Sequence, residues 1–507
     1  MGAMLLARLV DVSAQVAATR SRLAKRELIA GLLREAADSS GAEDEIDIAA
    51  SYLSGTLRQR RTGLGWRGLA DLPPPADEPS LGLGEVDATL AEISGLTGSG
   101  SQGLRRSAVD ALFARLTKPE QDYLRDLITG NVRQGALDSV MLDAVAEAAS
   151  LDLEAVRRAA MFSAPTGPIA VAALTGGLPA LLEFTLLVGR PVRPMLASAA
   201  ADVPAGVEKV AGPFAVDTKL DGIRIQVHKH ADEVLVFTRS LEEIGGRLPE
   251  VVEATRALPA TDLILDGEAL SLDETGRPRP FQDTASTTAT RSGATGIQPF
   301  FFDLLLHEGD SLIEAPTSER LDRLDSVVPE SLRVRRLVTD SPEEAQSFFG
   351  RAVAEGQEGV IIKRLDAPYD AGRRGSAWVK VKPRHTLDLV VLAVEWGSGR
   401  RQGWLSNIHL GALGPDGTPV MLGKTFKGMT DEMLAWQTER FLALETSREG
   451  HVVHLRPEQV VEIAFDGVQR STRYPGGVAL RFARVLRYRD DKPATEADSL
   501  ETVRSFL

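Results

Sequence analysis

A chain of 507 residues, 43% hydrophobic and 25% charged, has the make-up of a soluble globular protein with material for roughly two to four full-sized cores. It contains no Cys, which excludes disulfides, iron–sulfur clusters and thiolate zinc sites. A formal net charge of −13 excludes a uniformly basic nucleic-acid binder, so any such contact must fall on local basic patches. No apolar run reaches membrane-spanning length, and the chain does not open with a basic stretch followed by a long apolar core. A cytoplasmic protein with no membrane contact is expected.

Residues 1–188 read as helical. Leu5-Leu6, Leu9-Val10, Ile29 and Leu32-Leu33 recur at helical spacing with charged residues between them. Residues 72–103, with Pro73-Pro74-Pro75 and a Gly/Ser-rich run from Gly95 to Gly103, read as loop. Thr117-Lys118-Pro119-Glu120 is a capping box, and Gly130 is a natural stop for the helix it opens. Arg58, Arg60, Arg61 and Arg67 gather around Trp66, and Arg133 sits in a Gly-bounded turn. Glycines and arginines beside a helix start let backbone amides approach a phosphate. The same residues also fit a solvated helix face and a plain helix–helix turn.

The pattern changes near Gly189-Arg190-Pro191, where a strand-rich α/β segment begins. Strands are expected over 223–228, 234–238, 263–270, 299–306, 360–363 and 378–382. A second change follows Lys382-Pro383-Arg384. From there short strands dominate, over 389–394, 409–413, 420–422, 460–465 and 484–488, with one helix near 431–446. That pattern suits a small barrel. The expected domains are 1–188, 189–383 and 384–507.

The chemistry gathers around Asp217-Thr218-Lys219-Leu220-Asp221-Gly222-Ile223-Arg224. Lys219 stands just ahead of an alternating strand, at a bend that Gly222 permits through dihedrals other residues avoid. A lysine with a carboxylate on either side and Arg224 nearby suits an amine nucleophile facing a phosphate. It also suits a surface turn with a salt-bridged lysine. Asp266 and Glu268 share one face of their strand, as a divalent ion or ribose hydroxyls would require, or simply as a solvated acidic edge. Phe300 and Phe302 share a face on which one ring could stack on a base, although core packing is the commoner use of such a run. Trp378, Lys380 and Lys382 alternate onto one face, and two ammoniums there point to an anion between them or to an exposed strand face. Glu358 and Lys363 have opposite parity. Either Glu358 precedes the regular strand or only one of the pair reaches a pocket.

In order and spacing, 219–224, Thr238-Arg239-Ser240, 265–268, Phe301-Phe302-Asp303, 358–363, 378–382 and 481–492 resemble the nucleotidyltransferase motifs of ATP-dependent DNA ligases, in particular the actinobacterial ligase B type. Pro194-Met195-Leu196-Ala197 and Pro280-Phe281-Gln282 add to the resemblance, which spans essentially the whole chain. Asp217 stands where the family usually has Glu, and Ala483 where Pro is common. The resemblance implies a multidomain fold: an all-α DNA-binding domain, an α+β adenylation domain and a C-terminal OB-fold barrel. It implies that Lys219 is adenylated by ATP and that AMP then passes to a 5′-phosphate at a nick, which the 3′-hydroxyl seals. Asp217 and Phe302 would hold the adenine. Arg224, Arg239 and Glu268 would contact ribose and phosphates, while Lys363, Arg374, Lys380 and Lys382 complete the nucleotide pocket. Glu268, Glu358 and Asp266 would serve magnesium, and Asp491 and Lys492 would orient the leaving pyrophosphate. Arg58, Arg60, Arg61 and Arg133 become contacts to nicked duplex DNA, for a monomer working at the nucleoid. An RNA ligase or mRNA capping enzyme is the nearest rival, and the long helical segment argues against capping. A non-catalytic nick-binding clamp is a rival of another class. Lys219, Lys380, Lys382 and Asp491 argue against it, because a clamp needs no nucleophile.

Overall fold

The computed structural model describes residues 2–507 apart from 60, 61, 99, 133, 135, 136, 164, 274–278, 280–295 and 373. The chain divides between two compact units and crosses from one to the other several times. One unit holds Met1–Ser198, Leu220–Arg335 and Arg364–Trp378, and the other holds Ala199–Lys219, Arg336–Lys363 and Val379–Leu507.

The first unit opens with helices Leu6–Ala18, Arg22–Ala37 and Ala42–Leu53, whose apolar stripes bury Leu6, Leu9, Leu32, Leu33, Ile46 and Ala49 in one core. The capping box forms as the sequence dictates: Glu120 accepts from the Thr117 backbone N–H at 2.8 Å, and helix Lys118–Ile128 ends before Gly130, whose φ is +70°. Residues 72–103 are not all loop. A helix runs Leu83–Gly95, and another begins at Ser101. Leu83, Val86, Leu90 and Ile93 repeat at helical spacing and are all buried, a stripe that the surrounding Pro and Gly residues mask in the sequence.

The same unit carries an antiparallel sheet in the order Glu233–Thr238, Ile223–His230, Asp262–Ser271, Ile297–His307, Asp310–Ser311. Alternation along Ile223–His230 places Gln226 and His228 inward. Gln226 trades two hydrogen bonds with the backbone of Val192, at 2.9 and 3.1 Å, and His228 Nδ1 accepts from Gly189 N–H at 3.0 Å. The segment that follows the helices is thereby pinned to the sheet. His228 is fully buried against the edge of Phe237. Asp303 and Arg320, both fully buried, pair at 2.8 Å and fasten helix Thr317–Val327 to strand Ile297–His307.

In the second unit strand Phe214–Lys219 lies between Gly359–Arg364 and Arg336–Thr339 in one sheet. Helices Val203–Val210 and Pro342–Ala354 bury Val203, Val210, Phe348 and Ala352 in one core with Phe214, Val216, Val360, Ile362, Val379 and Val381. A second sheet centres on the long strand His385–Trp396, which pairs with Leu405–Leu413, Val452–Leu455 and Val460–Phe465. Helix Asp431–Ala443 lies where its periodicity places it, capped by the Thr430 hydroxyl. The strands expected from alternation are all present. Leu196–Ala199, Phe214–Lys219, Arg336–Thr339 and the hairpin Gly467–Arg470/Val478–Arg481 were not foreseen.

Burial pushes the His228 imidazole down from an ordinary value of 6.5 to about 3. The unfolded chain then takes up a proton that the folded chain refuses. Stability is full above about pH 6.5 and declines toward pH 3, by at most about 1.4 kcal/mol per pH unit from this group. Urea unfolding at pH 7 and pH 5 should show His228→Asn with a shallower loss than wild type; equal losses would place the pH sensitivity elsewhere.

Candidate active site

Lys219 is the last residue of strand Phe214–Lys219, rather than a residue ahead of a strand, and the bend at Leu220-Asp221-Gly222 follows it. Gly222 does not adopt a left-handed dihedral. It is glycine because a Cβ there would lie 2.5 Å from the Ala269 carbonyl oxygen.

In the second unit Lys219 Nζ forms an ion pair with Glu358, whose own backbone N–H donates to the Lys219 carbonyl at 3.1 Å. Glu358 immediately precedes strand Gly359–Arg364, so strand alternation does not govern it. Gly359, at φ +138°, leaves no room for a side chain, because a Cβ would meet the Val381 carbonyl oxygen at 2.2 Å. The other oxygen of Glu358 pairs with Lys382, which also donates to Asp466 at 2.9 Å. Burial lowers the Lys382 ammonium, but Glu358 and Asp466 outweigh it and hold the group above its ordinary value. The result is an alternating chain of charges, Lys219, Glu358, Lys382 and Asp466. Lys380, two residues before Lys382 on strand Arg374–Val381, is half-buried.

Asp217 points to the same face of its strand as Lys219 and is 2% exposed. Arg336 grips it with two hydrogen bonds, at 2.5 and 3.0 Å, and Lys363, 1% exposed, pairs with it at 2.8 Å. Burial raises the Asp217 carboxyl, yet the two cations together hold it below the usual carboxylate range. Farther along, Lys492 and Arg489 both donate to Asp388 at 2.9 Å, and Asp491 pairs with Arg489 at 2.8 Å.

In the first unit Arg224 is clamped. Its Nε and Nη2 donate to Asp266 at 3.0 and 2.6 Å, its Nη1 to the Met195 carbonyl at 2.6 Å, and Tyr369 O–H donates to Asp266 at 2.6 Å. Asp266, read from the sequence as a metal ligand, is 1% exposed and is committed to Arg224 and Tyr369. Alternation does place it and Glu268 on one face, but that face packs against other groups. Glu268 accepts from Gly222 N–H at 3.2 Å. Phe302 meets Trp378 edge-on at 5.9 Å, and the Arg224 guanidinium lies 5.5 Å from the Phe302 ring. Its neighbour Phe301 is fully buried, the core use of that run. Arg239, in the turn after strand Glu233–Thr238, and Arg374 are exposed.

Arg58 does not stand ready for a phosphate. It pairs with Asp44 and Asp47 at 3.0 Å and with Asp87 at 2.8 Å, holding the first turn of helix Ala42–Leu53 to helix Leu83–Gly95. Arg67 and Trp66 are exposed on a short 3₁₀ turn. Arg60, Arg61, Arg133 and Pro280-Phe281-Gln282 lie outside the described residues. The sequence reading missed Arg336, Tyr369, Asp388 and Asp466. Arg336 stood in a run of arginines, and Tyr369 falls in an irregular segment without periodicity. Among the described residues no group of three or more His, Asp or Glu could hold a metal ion.

Lys219, at a strand end, and Lys382 thus stand among carboxylates that order them. Family models place the chain: "ATP dependent DNA ligase domain" matches residues 194–382, "ATP dependent DNA ligase C terminal region" 401–492 and "DNA ligase N terminus" 71–146. A probable DNA ligase of Beutenbergia cavernae is 62% identical over 99% of both chains, and one of Nocardioides sp. is 60% identical over 100% of this chain and 99% of its own. A solved structure named Pmar-Lig_PreS3, 19% identical, shares the fold with a TM-score of 0.64 over 95% of this chain and 99% of its own. The chain belongs to the ATP-dependent DNA ligase family, phosphodiester-bond-forming enzymes that typically seal nicks through a lysyl-AMP intermediate.

Asp266→Ala should strip a buried arginine of its counter-charge and destabilise the first unit by about 3–5 kcal/mol. Tyr369→Phe, which removes one hydrogen bond to the same carboxylate and the acceptor of the Met195 N–H, should cost less, about 1–3 kcal/mol. Urea unfolding of the two variants checks the ranking, and equal effects would deny Asp266 the clamping role.

Proposed function

We propose that Lys219 is the adenylated residue and that the charges around it organise each displacement at phosphorus. The carrying observation is Glu358, which holds the Lys219 ammonium with one oxygen and Lys382 with the other. The Lys219 ammonium gives up protons to Glu358 and solvent as the freed Nζ lone pair attacks the α-phosphorus of ATP, the bond from the α-phosphorus to the bridging oxygen of the β-phosphate breaks, and pyrophosphate leaves with the electron pair. A 5′-phosphate oxygen at a nick then takes the AMP, breaking the P–N bond and freeing the lysine. Finally the 3′-hydroxyl attacks the 5′-phosphorus and AMP departs. Such transfers need positioning and charge neutralisation more than covalent help.

Lys380, Lys382 and Arg374 neutralise the α-phosphate, and Phe302 stacks on the adenine. Asp217 reads the adenine edge from a position fixed by Arg336 and Lys363. Arg224, held by Asp266, presents a fixed charge to the nucleotide, while Glu268 serves the ribose and Arg239 a phosphate. Glu358, together with the nucleotide's own oxygens, would hold a magnesium ion, which when bound would supply charge neutralisation. Residues 1–188 grip duplex DNA through its backbone, with Arg60, Arg61 and Arg133 the contacts, since Arg58 is spent internally. Residues 189–383 carry adenylation. Residues 384–507 form an OB-fold that brings Asp491 and Lys492 to the leaving pyrophosphate. The enzyme works as a monomer in the cytoplasm, at the nucleoid.

Lys219→Ala should abolish ATP-dependent sealing of a 5′-phosphorylated nick, at least a 1000-fold loss on the scale of removing a nucleophile, roughly. Retained sealing sinks the assignment. Lys492→Ala separates the steps: lysine adenylation should slow by about 10- to 100-fold while a pre-adenylated nick is sealed at close to the wild-type rate. Equal loss in both assays would make Lys492 a structural residue, held as it is by Asp388.

A further inference from the structure

The second unit contains a cleft of about 540 Å³ whose walls carry five cations, Lys380, Lys382, Arg384, Lys427 and Arg484. Asp466 is the one carboxylate in that lining. It sits at the end of strand Val460–Phe465, just before the hairpin strand Gly467–Arg470, and its backbone N–H donates to the Arg481 carbonyl at 3.0 Å. Its side chain accepts from Lys382 at 2.9 Å. The next residue after Arg481 is Phe482, an exposed aromatic held at φ +55°, and its ring lies 5.8 Å from the Lys382 ammonium and 5.4 Å from that of Lys427. A non-glycine residue in this left-handed region is strained, and strain of this kind persists where the surroundings over-determine it.

The arrangement is that of an anion site with its own anion in place. Five cations lining one cleft repel one another unless a negative charge lies among them. Asp466 supplies that charge by pairing with the lysine that also holds Glu358, and Glu358 holds Lys219. An arriving phosphate that uses Lys382 competes for its charge with the two carboxylates already paired to it. Glu358 is the costlier one to displace, because it is also bound to Lys219 and tied by its backbone to the Lys219 carbonyl. Asp466 is held to its hairpin by the backbone hydrogen bond to Arg481, which does not involve the side chain.

We propose that Asp466 is an internal competitor for Lys382, a resident carboxylate that the α-phosphate of the nucleotide displaces, so that nucleotide binding releases the hairpin 467–481 from the catalytic lysines. Asp466 is thus a positioning residue acting through Lys382. The inference rests on the reading of Lys382 as a phosphate ligand. It predicts something that an ordinary supporting contact does not: removing the carboxylate improves binding.

The test uses full-length protein and α,β-methylene-ATP, which binds without transferring AMP, with calorimetry as the readout. Asp466→Asn should bind the analogue about threefold to tenfold more tightly, the scale of one partly screened competing charge. Asp466→Glu, which keeps the charge, should return to near wild-type affinity. In a Lys382→Met background, Asp466→Asn should have no effect, because the group competed for is gone. Unchanged or weaker binding by Asp466→Asn in the wild-type background overturns the proposal and makes Asp466 a support for Lys382. If Lys382→Met alone leaves the affinity untouched, the phosphate-ligand reading of Lys382 itself fails. Circular dichroism of each variant verifies that the hairpin-bearing unit is folded, and a folded Asp466→Asn protein without tighter binding contradicts the proposal outright.

Discussion

One carboxylate, Glu358, sets the order of the charges around Lys219. Two lysines far apart in the sequence would repel at close range, and Glu358 takes one with each oxygen. It can do so because it stands outside the regular strand, at a residue followed by a glycine whose φ of +138° and missing side chain let the chain press against the Val381 carbonyl. Removing charges from water is costly, and only multiple, well-aligned partners offset that cost. Lys219, Lys382 and Asp466 complete such a set, and Asp217, Arg336 and Lys363 form a second set on the same unit.

The first unit solves the same problem differently. Arg224 has a planar fork rather than a mobile ammonium, so Asp266 and the Met195 carbonyl fix it in one orientation, and Tyr369 ties the carboxylate in turn. Phe302 and Trp378 then lie within cation–π reach of a guanidinium whose position is already determined. The acidic balance of the chain makes sense in this light. Arg58 takes three carboxylates, Arg489 and Lys492 share Asp388, and Arg320 takes Asp303. Many acidic residues neutralise cations inside the fold, so a net charge of −13 says little about the sign of any one surface.

What was legible in the sequence follows from how local each signal is. Strands 460–465 and 263–270 were readable because alternation is a property of neighbouring residues, and the Thr117–Glu120 cap because it spans one turn. Lys219 was readable from its bend, but the strand it ends was not: Phe214-Ala215-Val216 is short, buried throughout and lacks alternation. Asp466 and Arg336 carry no local signal at all. Each matters only through a partner 84 or 119 positions away, Lys382 or Asp217, and one sequence does not reveal such pairings. The parity of Glu358 was ambiguous because the strand's first residue decides it, and strand ends are the least readable feature of a sequence. The partners of Asp266, Arg224 and Tyr369, were not readable for a related reason: alternation gives the face of a strand but not what covers it.

The central claim is that Lys219 carries the activated nucleotide. Intact-mass spectrometry of the full chain after incubation with ATP and magnesium, followed by peptide mapping, tests it most directly. The account predicts one added AMP per chain, located on the peptide that contains Lys219 and discharged on addition of nicked DNA. An adduct on any other residue, or a chain that seals nicks without ever carrying AMP, would contradict it.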